Sequence, residues 1–124
     1  MREIKFRAWD KEDKNMLDWE MIKLDVEYSL NQLLEMNQFD IMQFTGLYDM
    51  YANEVYESDV VKGYYWNAKG RNRIIGVVQY RGNQIVIAGV KQYEGIFVPA
   101  DPLCEVIGNI YENPELLGVS ECER

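Results

Sequence analysis

Histidine is absent from this sequence of 124 residues, and cysteine occurs only twice. Histidine is the side chain most often used for acid and base chemistry near neutral pH, and it is the commonest metal ligand. Two cysteines do not complete a tetrahedral zinc site. The chain also lacks a glycine-rich phosphate loop, a dinucleotide fingerprint and a nucleophile elbow. These absences predict a protein that is not an enzyme and that has no cofactor, metal site or small-molecule substrate.

A long apolar run is missing as well. No stretch of the sequence approaches the roughly 20 apolar residues needed to span a bilayer. Charges interrupt the region where a signal peptide would be apolar, at Arg2, Glu3, Lys5 and Arg7. We therefore expect a cytoplasmic protein with no membrane partner. Cys104 and Cys122 are expected to stay reduced, because Cys122 lies in a polar stretch and two cysteines make no disulfide framework.

A polar turn followed by a hydrophobic strand, over residues 43–61, organises the chain. Thr45-Gly46 ends an apolar run, because glycine lets the chain turn at little steric cost. From residue 55 the side chains alternate, which puts Glu57 and Asp59 on one face of the predicted strand. Joined by Glu105 or Glu112, these acids could form a divalent-cation or acid/base cluster. An acidic turn entering a strand is commoner, and we favour that interpretation.

Five short blocks of sequence, within and around this stretch, together form a recognisable pattern. They are Met1 to Asp10, Thr45-Gly46-Leu47, Tyr56-Glu57-x-Asp59-Val60-Val61, Gly76-Val77-Val78-x-Tyr80 and Glu105-Val106-Ile107-Gly108-Asn109-Ile110-Tyr111-Glu112-Asn113-Pro114-Glu115-Leu116-Leu117. In this order they resemble the YopX family of phage and prophage proteins. The resemblance implies an SH3-type β barrel in the second half, a phage or prophage origin inside a bacterial host, and no established activity. This chain has Ser58 where the family usually has glycine, and Ala52-Asn53 where it has an Asn-Gly-type turn.

The pattern of apolar residues predicts a mainly β fold in one compact unit, residues 1–124. We expect an N-terminal strand-strand-helix extension, residues 1–40, packed on an SH3-like barrel, residues 41–113, with a short helical turn and frayed tail over 114–124. The extension holds strands over Glu3–Trp9 and Met16–Val26. A capping box at Ser29 predicts a helix over Leu30–Asn37.

The second half reads as a series of short strands separated by glycine, asparagine and proline. The predicted strands are Val60–Trp66, Arg73–Tyr80, Gln84–Lys91, Gly95–Val98 and Glu105–Tyr111. Five closely spaced strands of this size suggest a small barrel or sandwich. Arg81-Gly82-Asn83 is the predicted hairpin connection, with Gly82 in the left-handed conformation. Pro114 is suited to start a last helical turn.

Charge is distributed unevenly along the chain. The formal net charge is -8, yet residues 60–93 contain six Lys or Arg and no Asp or Glu. The remaining seven cations and twenty-one acids give -14, and -14 plus +6 recovers the total of -8. Aromatic residues are interleaved with these six cations. The sequence therefore predicts one basic, aromatic binding surface, made of Lys62, Tyr64, Trp66, Lys69, Arg71, Arg73, Arg81 and Lys91.

The sequence leaves three interpretations of this surface open. It could dock on protein, either an acidic partner or the acidic region of a second copy of the chain, since aromatic residues and arginine are enriched at interfaces. It could bind single-stranded nucleic acid by stacking and phosphate contact. In the plainest interpretation Tyr65, Tyr80 and Tyr93 fill the core and the cations are merely solvated. We favour a non-enzymatic phage or prophage accessory protein that binds protein, with nucleic-acid binding second and an enzyme third.

Overall fold

The computed structural model describes residues 4–24 and 38–117, and these are mainly β, as predicted. The chain divides into two compact units, Met1–Phe44 and Thr45–Arg124. No helix among the described residues is long and apolar enough to cross a membrane.

The first unit is built on a short antiparallel sheet. Strand β1, Phe6–Asp10, pairs on one side with β2, Asn15–Leu17, and on the other with the start of β3, Phe39–Tyr48. The apolar side chains that face inward from these strands form a small core centred on Ala8, Ile22 and Phe39. The strand predicted over Glu3–Trp9 is confirmed from Phe6 to Trp9 and continues to Asp10, whereas Ile4 and Lys5 precede it.

The second predicted strand, Met16–Val26, is confirmed at Met16 and Leu17 and wrong from Trp19 to Leu24, while residues 25 and 26 lie outside the described residues. Helix α1 occupies Trp19–Leu24 instead. The carboxylate of Asp18 accepts a hydrogen bond from the backbone N–H of Met21 at 2.8 Å, as an N-cap does. Because Asp18 supplies this acceptor, a short helix forms where alternation alone favours a strand. The predicted helix over Leu30–Asn37 lies outside the described residues.

The second unit contains the end of β3 and six further strands. These are β4, Glu54–Tyr56; β5, Asp59–Asn67; β6, Gly70–Arg81; β7, Gln84–Gly89; β8, Phe97–Pro99; and β9, Glu105–Asn109. The last five form one antiparallel sheet in the order β8-β7-β6-β5-β9. Two 3-10 turns, η1 at Lys91–Tyr93 and η2 at Pro114–Leu117, complete the unit.

One face of this sheet makes the core of the second unit. Side chains at alternate positions of each strand point inward, so one apolar cluster collects from four of the five strands: Val61, Ile74, Val78, Ile87 and Val98, with Val55 and Cys104. Val106 of β9 packs against this cluster. Tyr65 and Tyr93 pack against this cluster. The interpretation that part of the aromatic set belongs to the core is therefore confirmed for these two tyrosines.

The turn predicted at Thr45-Gly46 is wrong, because β3 continues from Phe39 to Tyr48 and Gly46 adopts its φ of 86° within the strand. Two other predicted turns are confirmed. Arg81 pairs with Gln84 across the β6–β7 hairpin, and Gly82 has φ 67°. Pro114 begins the final 3-10 turn. The alternating strand predicted across residues 55–61 is interrupted, because the chain turns at Ser58, whose φ is 72°. The SH3-type barrel, the division at residues 40 and 113 and the single unit 1–124 stay predictions.

Candidate binding face

Strands β5 and β6 form a long hairpin whose outer face carries five of the predicted surface residues. Tyr64 lies opposite Arg73, and Trp66 lies opposite Arg71, so these four side chains project from the same side of the sheet. Lys62 precedes Tyr64 by two positions and shares that side. We call Lys62, Tyr64, Trp66, Arg71 and Arg73 the hairpin face. The Trp66 side chain is 75% accessible.

Contacts within the hairpin face already engage part of its charge. The guanidinium carbon of Arg71 lies 3.7 Å from the ring centroid of Tyr64, a cation–π contact. The Nε of Arg73 donates a hydrogen bond to the hydroxyl oxygen of Tyr93 at 3.2 Å. The Nζ of Lys62 lies 3.6 Å from a carboxylate oxygen of Glu105 on β9. These contacts orient the long side chains without burying them.

The other three predicted residues do not join the hairpin face. Lys69 lies at the tip of the hairpin, in the turn between β5 and β6. Arg81 lies eight residues beyond Arg73, about 26 Å along an extended strand, and its guanidinium stacks 4.0 Å from the ring centroid of Phe97. Lys91 lies in η1 rather than on β5 or β6, although η1 is adjacent to β6, since the N–H of Val90 donates to the carbonyl oxygen of Ile75 and the Tyr93 hydroxyl accepts from Arg73. The predicted surface therefore consists of a central group of five on the hairpin and three cations outside this group.

A groove of about 260 Å³ opens beside the hairpin face. Three of its lining side chains are apolar or aromatic and well exposed: Met50 at 53%, Tyr51 at 63% and Leu103 at 67%. The others come from the sheet, namely Lys62, Tyr64, Arg71 and Glu105. The groove thus combines exposed apolar surface with two cations and one carboxylate.

Asp49 fixes the turn that carries Met50 and Tyr51. Its side chain is only 5% exposed and accepts hydrogen bonds from the backbone N–H groups of Tyr51, Asn53 and Val106, each at 2.9 Å, and from the side-chain amide of Asn53. Burial alone would raise the pKa of the Asp49 carboxyl, but these hydrogen bonds outweigh it and hold that pKa below its ordinary value. The bond from Val106 ties this turn to β9.

The acidic alternative around Glu57 and Asp59 has a structural explanation. Asp59 is 2% exposed, and its Oδ2 accepts a hydrogen bond from the backbone N–H of Tyr56 at 2.8 Å. Glu105 pairs with Lys62, and Glu112 accepts a hydrogen bond from the side-chain amide of Asn109 at 2.7 Å. Residues 4–24 and 38–117 hold no group of three or more potential ligands able to bind a metal ion. The turn interpretation of Asp59 is thereby favoured.

Cys104 lies next to the groove but inside the core. It is 1% exposed, and burial, with the nearby carboxylates of Asp101 and Asp49, raises the pKa of its thiol to about 11. A thiol of this kind stays protonated at neutral pH and is a poor nucleophile. Cys104 therefore acts as a small apolar core residue.

Sequence reasoning missed the apolar part of the groove. Met50, Tyr51 and Leu103 lie in turns between strands, so no strand period marks them. The one available signal is that each is a large apolar residue within a polar, turn-forming segment. Glu105 was placed on a strand, but only the pairing of β5 with β9 puts its carboxylate beside Lys62.

Comparisons with known proteins give a family and a fold. The sequence model described as YopX protein matches residues 5–118. The chain is similar in structure to protein EF1440 from Enterococcus faecalis, with 24% identity, a TM-score of 0.55 and coverage of 94% of this chain and 99% of that one. It is also similar to protein YopX from Bacillus subtilis, with 20% identity, a TM-score of 0.58 and coverage of 91% and 97%. A comparison with curated proteins found no match.

Proposed function

The chain belongs to the YopX family, and from that premise we propose that it is a non-enzymatic phage or prophage accessory protein that binds protein through the hairpin face. We place it in the cytoplasm of a bacterial host. Its partner is an acidic protein surface or the acidic region of a second copy. The observation that carries this proposal is the convergence of Trp66, Tyr64 and two arginines on one exposed side of β5 and β6.

The composition of this region is that of an interface centre. Tryptophan, tyrosine, methionine and arginine are enriched at such centres relative to the remaining protein surface. Trp66, Arg71 and Arg73 are exposed on the hairpin face, and Met50 and Tyr51 are exposed beside it. A partner that covers them buries large apolar area while its carboxylates meet the arginines.

Single-stranded nucleic acid is the second candidate, favoured by the exposed Trp66 ring beside cations. One contact favours protein over it. The guanidinium of Arg71 covers one face of the Tyr64 ring, where a base would otherwise stack.

The test compares two polyanions by fluorescence anisotropy across a salt series. Labelled polyglutamate represents an acidic protein, and labelled oligothymidylate represents single-stranded DNA. Sedimentation velocity on the protein alone measures self-association at the same salt concentrations. We expect polyglutamate binding, or a salt-sensitive increase in mass, that weakens when salt rises.

The triple variant Tyr64→Ala, Trp66→Ala, Arg71→Ala should remove this binding or association. Arg81→Ala is the matched control, because it deletes a cation from the same strand far from the hairpin face. Tighter binding of oligothymidylate than of polyglutamate would establish the nucleic-acid alternative. No binding to either polymer together with a salt-independent monomer would refute the proposal.

A further inference from the structure

The groove beside the hairpin face has walls that the fold holds in place. The backbone N–H of Met50 donates a hydrogen bond to the carbonyl oxygen of Cys104 at 2.9 Å, which joins the 49–53 turn to the 101–104 turn. The N–H of Leu103 donates to the Asp101 carboxylate at 2.8 Å. Together with the Asp49 hydrogen bonds, these contacts fix the backbone beneath all three exposed apolar side chains. Such preorganisation lowers the entropy lost when a ligand binds.

The dimensions of the groove favour side chains over a complete small molecule. Its volume of about 260 Å³ is below the range of roughly 300–1,000 Å³ typical of small-molecule pockets. It is open on one side and lies along a strand hairpin, so an extended segment can pass over it and insert one side chain. Because Met50, Tyr51 and Leu103 are the exposed walls, that side chain is apolar.

The charges around the groove determine what accompanies the apolar side chain. Lys62 is already paired with Glu105, whereas no ion pair of Arg71 occurs within the described part of the chain. The Arg71 guanidinium is oriented by its contact with Tyr64 and presents planar donors suited to a carboxylate. Glu105 disfavours a second carboxylate near Lys62. The complementary ligand therefore carries an apolar residue next to an acidic one.

We propose that the groove lined by Met50, Tyr51, Lys62, Tyr64, Arg71, Leu103 and Glu105 recognises an extended peptide segment of another protein, in which an aliphatic side chain is flanked by aspartate or glutamate. This proposal rests on the proposed function and gives its partner a chemical class. The aliphatic side chain contacts Met50, Tyr51 and Leu103. The neighbouring carboxylate pairs with Arg71.

The probe is a labelled nine-residue peptide with one leucine between pairs of aspartates, measured by anisotropy. One matched peptide replaces the leucine with serine, and another replaces the aspartates with asparagines. Burying a leucine is worth roughly 1.5–3 kcal/mol, so its loss should weaken binding by about tenfold to a hundredfold. The asparagine peptide should bind weakly and lose its salt dependence.

Variants of the protein locate the site. Leu103→Asp should weaken peptide binding by about tenfold or more, by the same burial argument. Ile4→Asp is its matched control, because Ile4 is also 67% exposed and lies far from the groove in sequence. Glu105→Gln should tighten binding severalfold, since it releases Lys62 for the ligand. Leu103→Asp and Ile4→Asp should leave the melting temperature nearly unchanged. An unchanged melting temperature shows that these variants are folded.

Each other outcome is informative. If polyglutamate binds but leucine makes no difference, or Leu103→Asp binds the peptide normally, the groove proposal is wrong and the proposed function stands. If no acidic ligand binds and the protein does not associate, both fail. A salt-sensitive dimer that Leu103→Asp dissociates would identify a second copy as the occupant and overturn the peptide proposal. Displacement of the peptide by less oligothymidylate than polyglutamate would identify nucleic acid instead.

Discussion

The residues that carry the family resemblance and the residues of the hairpin face have opposite physical characters. Thr45, Asp59 and Asn109 come from the family blocks, and all are buried and hydrogen-bonded. Trp66 and Arg71, by contrast, are exposed, and neither belongs to a quoted block. The family signature in this chain therefore encodes turns and close packing. Family membership explains the fold, while a role for the hairpin face has to be argued from its own chemistry.

The asparagines of the last family block illustrate the structural role. The side-chain oxygen of Asn109 accepts hydrogen bonds from the backbone N–H groups of Tyr111 and Glu112. The side-chain oxygen of Asn113 accepts one from the N–H of Asn109. A Cβ atom on Gly108 would lie 2.5 Å from that Asn113 oxygen, so a larger residue there would force the Asn113 side chain to move. The block forms a hydrogen-bonded turn after β9.

The largest effect is expected from a change in a family block, Gly76→Ala. A Cβ at this position on β6 would lie 2.3 Å from the backbone carbonyl oxygen of Ala88 on the paired strand β7. Because backbone cannot yield as a side chain can, the strands must separate, at a cost of about 3 kcal/mol. Chemical denaturation measures the loss. Gly63→Ala is the control, since its Cβ would meet mainly the flexible end of Ile87 and should cost clearly less. Equal losses for the two variants would contradict the close-approach explanation.

The second prediction concerns Asp49, a buried hydrogen-bonded acid outside the family blocks. Asp49→Asn removes an acceptor for Val106 or Asn53, which should cost about 2 kcal/mol at neutral pH. Since the folded pKa of Asp49 lies below the ordinary 3.8, its carboxylate stabilises the fold above that value, and this contribution is lost as pH falls through the folded pKa. The difference in free energy of unfolding between wild type and Asp49→Asn should therefore decrease as the solution is acidified. Urea titrations at several pH values test this. Asp101→Asn, at a surface turn, is the control at neutral pH. An increase of this difference in acid would show that folding raises the pKa of Asp49.

A smaller, stabilising effect is expected at Ser58. Its φ of 72° is one that glycine adopts without steric cost. The backbone of Ser58 still forms hydrogen bonds with Val78 and Ile110, so the family turn is retained despite the departure in sequence. Ser58→Gly should add about 0.5–1 kcal/mol, because relief of the left-handed penalty exceeds the entropy that glycine costs in the unfolded chain.

Ser58→Ala keeps the unfavourable φ, and it should not stabilise. Thermal unfolding of both variants beside wild type measures the difference. Equal melting temperatures for Ser58→Gly and wild type would show that the serine carries no strain at this turn.

The smallest effect on stability is expected on the hairpin face. Trp66→Ala should change the free energy of unfolding by no more than about 0.5 kcal/mol, because the ring is 75% exposed and fills no core space. The same variant should weaken binding to the acidic ligand. Denaturation and anisotropy on one preparation measure both. Ile74→Ala, at a fully buried position on β6, provides the contrast, with an expected loss of about 2–5 kcal/mol. A large loss of stability in Trp66→Ala would contradict the distinction between residues that stabilise the fold and residues of the hairpin face.

The strand series of the second half could be predicted because alternation and turn residues are local signals. Gly82 at the β6–β7 hairpin and Pro114 at the last turn were recognised from chemistry that a few neighbouring residues supply. Helix α1 was missed because its side chains also alternate, and the decisive hydrogen bond from Met21 to Asp18 is not visible as a period. The turn at Ser58 agrees with the favoured interpretation of an acidic turn entering a strand, although its φ of 72° is one that serine rarely adopts.

The candidate site divides in the same way. Lys62, Tyr64 and Trp66 share a face by simple period-two alternation within β5. Arg71 lies beside them only because of the register in which β5 pairs with β6. The groove depends on contacts between turns that are distant in sequence. The hydrogen bond of Val106 to Asp49 joins positions 57 residues apart. No local pattern contains such a contact.

The sequence alone therefore determined the mainly β composition, the series of short strands in the second half and the segregation of charge, since each follows from residue type and spacing. It did not indicate β3, and it predicted a strand where α1 forms. The tertiary structure decided which cations meet aromatic rings, which acids are buried in turns and where exposed apolar side chains gather beside Arg71. The physical reason is that alternation fixes the side of a strand, whereas pairing register and turn-to-turn hydrogen bonds fix the neighbour. Which side chains share one surface therefore depends on the tertiary structure.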